Sequence, residues 1–105
     1  MRFGLKEEII EQINHIFFKY PQVSIVIIYG SRAKGNFKTG SDIDLTLKGE
    51  GLNLSLVHMI ELEIDELWLP YTFDISIFQD ISNSDLIEHI ERVGEVIFER
   101  SRGEG

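Results

Sequence analysis

Apolar residues recur at helical spacing at the start of the chain: Leu5, Ile9, Ile13, Ile16, Phe17 and Tyr20, with Lys6, Glu7, Glu8, Glu11 and Gln12 between them. One apolar stripe on a charged background predicts an amphipathic helix, and Pro21 follows its end. Val23 to Tyr29 is apolar on both faces apart from Ser24, the pattern of a central strand covered on both sides. Gly30 breaks that run, and Ser31 to Lys34 has room for a short helical turn before the loop Gly35 to Gly40. From Ser41 to Leu47 the period becomes two, with Asp42, Asp44 and Thr46 on one face and Ile43, Leu45 and Leu47 on the other. Gly49-Glu50-Gly51 is a turn. Helical spacing returns over Leu54 to Leu69, with Val57, Ile60, Ile64 and Leu67 as the stripe and Pro70 as the stop.

Thr72 to Phe78 reads as a third strand. Asn83 or Ser84 caps a last helix that carries Leu86, Ile90, Val93 and Ile97. Residues 100–105 read as a frayed, flexible tail. The predicted order is helix, strand, short helix, strand, helix, strand, helix. Three strands and their helices make one α/β layer structure, in a single domain over residues 1–105.

Charge changes this picture in one place. The chain carries −8 overall, which disfavours a nucleic-acid polymer as partner, because neutralising phosphates takes Lys and Arg. Yet residues 29–41 hold Arg32, Lys34 and Lys38 and no acid, so the rest of the chain carries −11. Such a patch suits a small polyphosphate. There is no cysteine, hence no disulfide, zinc knuckle or thiol nucleophile, and a cytoplasmic setting is expected. No apolar run approaches the ~18 residues of a membrane span, so no membrane association is expected.

The polar faces of the two later strands carry the candidate chemistry. Thr72, Asp74, Ser76 and Phe78 alternate with Phe73, Ile75 and Ile77, as Asp42, Asp44 and Thr46 do with their aliphatic neighbours. Both aliphatic faces belong under the helices. If the strands are neighbours, Asp74 therefore joins Asp42 and Asp44. Like charges about 4 Å apart repel by roughly 1 kcal/mol in water and roughly 4 kcal/mol at an effective dielectric of about 20. Protonation of one acid or a divalent cation relieves that, and oxygen ligands in this number suit Mg²⁺ or Mn²⁺. The plain alternative is a set of solvated strand-edge acids, but aspartate is depleted in strands and here falls on matching faces of two.

The glycine-rich turn is not a Walker A loop, since Asn36 and Phe37 stand where Lys and Ser/Thr are required. A strand ending in Gly-Ser at a helix start presents free N–H groups and a hydroxyl to an anion. Gly30-Ser31, ten residues, Asp42-Ile43-Asp44, then Asp74 on a later strand resembles the signature of the polymerase-beta-like nucleotidyltransferase superfamily. More narrowly, the chain resembles the minimal nucleotidyltransferases, and Leu69-Pro70-Tyr71-Thr72-Phe73-Asp74 is similar to their approach to the third carboxylate.

That resemblance implies a small mixed sheet of three or more strands flanked by helices. It implies two Mg²⁺ ions (Mn²⁺ being possible) held by Asp42, Asp44 and Asp74, which are also the catalytic residues. Gly30, Ser31, Arg32, Lys34 and Ser41 are the implied nucleotide-binding residues, with Lys38 a further candidate that a solvated loop explains equally well. The implied reaction is transfer of AMP from ATP to a hydroxyl, in particular a tyrosine of an all-helical HEPN toxin neutralised by this antitoxin. Two alternatives stand beside it: a binding module that silences a helical partner by contact, and nucleotidylation of a small cationic molecule such as an aminoglycoside. His15 and His89 read as surface residues, and Trp68 and Tyr71 as core packing around Pro70. Tyr29 reads as a strand-end core residue near the site. Leu52, Leu54, Leu56, Met59 and Leu62 exceed what one buried stripe requires, which suggests either a helix buried on two sides or a partner surface.

Overall fold

The first stripe folds as expected. In a computed structural model that describes residues 1–100, α1 spans Glu7–Phe18 and buries Ile10, Ile13, Ile16 and Phe17. The apolar run that follows is β1, Val23–Tyr29. Ser31–Lys34 makes one helical turn, α2, ended by Gly35 in the left-handed region at φ 87°. The alternating segment is β2, Ile43–Gly49, so Asp42 stands just before the strand. Asn53 caps α3, Leu54–Asp65, by accepting the Leu56 N–H at 2.9 Å. β3 spans Phe73–Ile77 and runs into a short 3₁₀ turn at Phe78–Asp80. The side chain of Asn83 accepts the N–H groups of Asp85 and Leu86, starting α4, Ser84–Val93.

Two predicted boundaries are corrected. The helix expected to reach Leu69 stops at Asp65. Its end tightens through Leu67 N–H to Ile64 O and Trp68 N–H to Asp65 O, both three residues back. Pro70 disfavours helix at Leu69, and the chain escapes at Trp68 with φ 54°. The last helix, expected to include Ile97, ends at Val93, and residues Glu95–Glu99 form a fourth strand, β4. Gly94 makes the change of direction: a Cβ there would collide with the Ile90 carbonyl and the Ile27 side chain. The β-branched run Val96-Ile97 then finds β1, whose edge is open on that side.

The sheet order is β3-β2-β1-β4. β1 pairs antiparallel with both β2 and β4, whereas β2 and β3 are parallel, joined across α3. Val26, Ile28, Ile43, Leu45, Leu47, Ile75 and Ile77 pack with Leu5, Phe17, Val57, Ile60 and Ile64 from the chain start, α1 and α3. Burying each of these aliphatic side chains contributes roughly 1.5–3 kcal/mol. On the opposite face α4 packs against β1 near Ile27, leaving the β2–β3 half polar.

Arg100 was expected to begin a free tail. Instead its guanidinium donates to the carbonyls of Val23, Phe17, Phe18 and Tyr20, at 2.9–3.3 Å, and lies over the rings of Phe18 and Phe98. It thereby satisfies carbonyls left open at the end of α1. Residues 101–105, the rest of the expected tail, lie outside the described residues.

Candidate active site

The site is built where β1 ends beside β2. Tyr29 is paired with Asp44 across the antiparallel ladder, and Asp44 is paired with Asp74 across the parallel one. Residues directly opposite share a face, so a tyrosine and two carboxylates lie in one row. The next row is Thr46 and Ser76, with the Ser76 hydroxyl donating to Thr46 Oγ1 at 3.0 Å. Thr46 is fully buried. The polar faces of the two strands thus coincide, as their alternation predicts. Asp42 precedes the strand and is exposed, so strand pairing does not seat it as it seats Asp44.

Electrostatics tie the three acids together. Burial raises the Asp44 carboxyl above its ordinary range, and the charges of Asp74 and then Asp42 raise it further. Burial also raises the Tyr29 hydroxyl above its ordinary value, with the charges of Asp74 and Asp44 adding to that. Among the described residues, no group of three or more His, Cys, Asp or Glu is already gathered into a metal-ligating cluster. The donor set nevertheless fits a hard divalent cation: all-oxygen, anionic, and under mutual repulsion that a cation relieves.

Gly30 forms the turn between the strand and α2, with φ 76° and ψ −155°. A Cβ at this position would collide with the Asp44 carboxylate, so only glycine lets the turn approach that acid. Ser31 opens α2, its carbonyl accepting from Gly35 and Asn36. Ser41 closes the following loop, its Oγ accepting the Lys38 N–H at 2.8 Å and its N–H reaching Lys38 O at 2.9 Å. Lys34 and Lys38 are exposed.

Arg32 behaves differently from the expected phosphate contact. It is only 3% exposed. Its Nε donates to Ser41 O at 3.1 Å and its Nη1 to Phe3 O at 2.8 Å, while the guanidinium lies over the rings of Phe37 and Tyr71 at 5.0 and 5.1 Å. It therefore fastens the glycine-rich loop to the body of the protein. Tyr71 is part of this stack, in keeping with the packing role expected of it.

Two further expectations change. Trp68 is 90% exposed, because its left-handed backbone turns it out of the core. His89, expected at the surface, is half-buried beside the site: its Nε2 accepts the Gly30 N–H at 3.1 Å, and its ring stands edge-on to Tyr29. Its position among acids on a helix carried no sign of this contact. His15 is exposed, as expected. Two surface clefts lie away from the carboxylates, one between α1 and the end of α3 and one beside Trp68.

The family Polymerase beta, Nucleotidyltransferase matches residues 11–103. No curated protein matches the sequence. Among solved structures, a toxin–antitoxin crystallised with AMP-PNP superposes with a TM-score of 0.70 at 15% identity, covering 93% of this chain and 77% of that one. A tri-AMPylated Shewanella oneidensis HEPN toxin in complex with MNT antitoxin gives 0.67 at 11% identity, covering 91% and 74%. A nucleotidyltransferase from Sulfolobus solfataricus gives 0.57 at 21% identity, covering 96% and 83%. At these identities the structures speak for the fold, and the family match over residues 11–103 speaks for the family. The chain belongs to the polymerase beta nucleotidyltransferase family.

Proposed function

We propose that the protein transfers AMP from ATP to a hydroxyl, most specifically a tyrosine hydroxyl of a HEPN-type helical partner, and acts as the antitoxin of that partner. The observation that carries the chemistry is the pairing of Asp44 with Asp74 beside the Gly30–Ser31 turn. Asp42, Asp44 and Asp74 would hold two Mg²⁺ ions, with Mn²⁺ an alternative. Bound metal supplies charge neutralisation for the triphosphate and for the attacking oxygen.

The chain's own groups do the rest. Ser31 and the N–H groups that follow it receive the β- and γ-phosphates, helped by Lys34. Arg32 and Ser41 act through the loop they shape. Asp74, exposed on the edge strand, takes the proton of the acceptor hydroxyl. The new bond joins that oxygen to the α-phosphorus as the bond to pyrophosphate breaks. Orientation and charge stabilisation account for most of the rate in such a transfer. The similarity to structures that include a tri-AMPylated HEPN toxin in complex with MNT antitoxin supports a HEPN-type protein as the acceptor.

The test is co-expression with a HEPN partner, Mg²⁺ and ATP, followed by intact mass. The partner gains the mass of one or more AMP groups with wild type and none with the Asp42→Ala/Asp44→Ala variant. An unmodified partner with wild type contradicts the proposal.

One observation favours a second reading, neutralisation by contact. Leu54, Met59 and Leu62 on α3 and the neighbouring Trp68 are exposed. If the double-alanine variant still complexes and silences the partner, contact is sufficient.

A further inference from the structure

Gly30 sits where the strand, the turn and the carboxylates meet, and glycine by itself does not choose a conformation. At φ 76° it occupies a region that L side chains rarely adopt, with many other conformations equally open to it. Fixing one of them costs backbone entropy, so a partner must select it. Asp44 packs where a Cβ would stand. The Gly30 N–H is taken by His89 Nε2 at 3.1 Å, a hydrogen bond that reaches across 59 residues from α4.

His89 is itself well fixed. It precedes the buried Ile90, and its ring stands edge-on to Tyr29 with centroids 6.2 Å apart. Asn83 caps the start of its helix, and Gly94 lets the end approach Ile27 of β1. An accepting Nε2 places the ring proton on Nδ1. This bond has two consequences. The Gly30 N–H is already committed, so phosphate donors in the turn begin at Ser31. The peptide plane between Tyr29 and Gly30 is also held, which sets where Ser31 stands relative to Asp44.

We propose that His89 is a positioning residue for the triphosphate turn: by accepting the Gly30 N–H it selects one glycine conformation and so aligns Ser31 with Asp44. It acts through Gly30 and does not touch the nucleotide. The inference rests on the triphosphate reading of the turn given above.

Two measurements test it. In the free wild-type protein, ¹⁵N NMR shows a scalar coupling across the hydrogen bond between Gly30 N and His89 Nε2; a His89 ring without that coupling overturns the inference. Affinity for a non-hydrolysable ATP analogue with Mg²⁺ is then compared among wild type, His89→Leu and His89→Gln. Leucine keeps the bulk and removes the acceptor, whereas glutamine restores an acceptor at similar reach. The leucine variant weakens binding about tenfold, the worth of one net hydrogen bond; its Gly30 amide exchanges faster and its Tm falls by several degrees with the fold kept. The glutamine variant returns to within about twofold of wild type, its acceptor having taken over the bond.

Wild type binding with an unchanged leucine variant overturns the role of His89 alone. Equal losses in both variants do the same, since the acceptor is then irrelevant. A wild type that binds no triphosphate overturns the reading of the turn, and the inference falls with it.

Discussion

Replacing Asp74 with asparagine is expected to stabilise the metal-free protein while removing its chemistry. Asp44 and Asp74 are direct partners on adjacent parallel strands. Adjacent strands lie about 4.8 Å apart, and two carboxylates at about 5 Å repel by roughly 0.8 kcal/mol in water and roughly 3 kcal/mol at an effective dielectric near 20. Asp74 is exposed and Asp44 half-buried, so solvent screening holds the value near the lower end, about 1 kcal/mol. For a domain of this size that is a rise in Tm of roughly 4 °C, in EDTA and low salt. High salt shrinks the difference.

The pH dependence has a definite sign. A carboxyl raised in the folded state binds more protons there than in the unfolded chain. Wild type therefore loses stability as pH rises from the ordinary aspartate value through the raised Asp44 value. The loss is smaller in Asp74→Asn, because one of the charges that raise Asp44 is gone. With Mg²⁺ and a non-hydrolysable ATP analogue the order of stabilities reverses, since only wild type gains from binding, about 2.7 kcal/mol at a hundredfold excess over Kd. Differential scanning calorimetry in both buffers measures all of this. A variant less stable than wild type in EDTA, or a difference insensitive to salt, refutes the electrostatic argument.

Gly30→Ala sets a Cβ against the Asp44 carboxylate at a strained φ, and is expected to cost about 1–3 kcal/mol in urea denaturation and to abolish triphosphate binding; unimpaired binding contradicts the close approach. Arg32→Met leaves the Phe3 and Ser41 carbonyls without their charged donor, so stability falls by about 2–4 kcal/mol. If instead triphosphate affinity falls while stability is unchanged, Arg32 is a phosphate ligand after all. Arg100→Ala frees the carbonyls at the end of α1 and lowers stability by about 1–3 kcal/mol by the same measurement; a neutral result denies the clamp.

What was readable in the sequence is what depends on near neighbours. Val23–Tyr29 is a strand because its own residues are apolar and β-branched, and Gly30 ends it. The period-two faces of β2 and β3 made Asp44 and Asp74 coincide once the strands were taken as neighbours. β4 escaped because Leu86, Ile90, Val93 and Ile97 continue a helical period across Gly94; only pairing with β1, some 70 residues earlier, overrides it. Arg32 read as a loop cation because its partners, Phe3 and Tyr71, lie about 30 and 40 residues away. His89 was missed for the same reason: its partner is a backbone N–H, which no residue type announces.

The central claim is that Asp42, Asp44 and Asp74, with the Gly30–Ser31 turn, receive a metal–triphosphate. Mn²⁺ titrated into ¹⁵N-labelled protein with a non-hydrolysable ATP analogue tests it most directly, because paramagnetic broadening marks the site of the ion. Broadening is expected first at Asp44, Asp74 and Ser31, to depend on the analogue, and to vanish in Asp42→Asn/Asp44→Asn. Broadening centred on the acidic surface of α1 and α3, or none at all with the analogue present, contradicts the account.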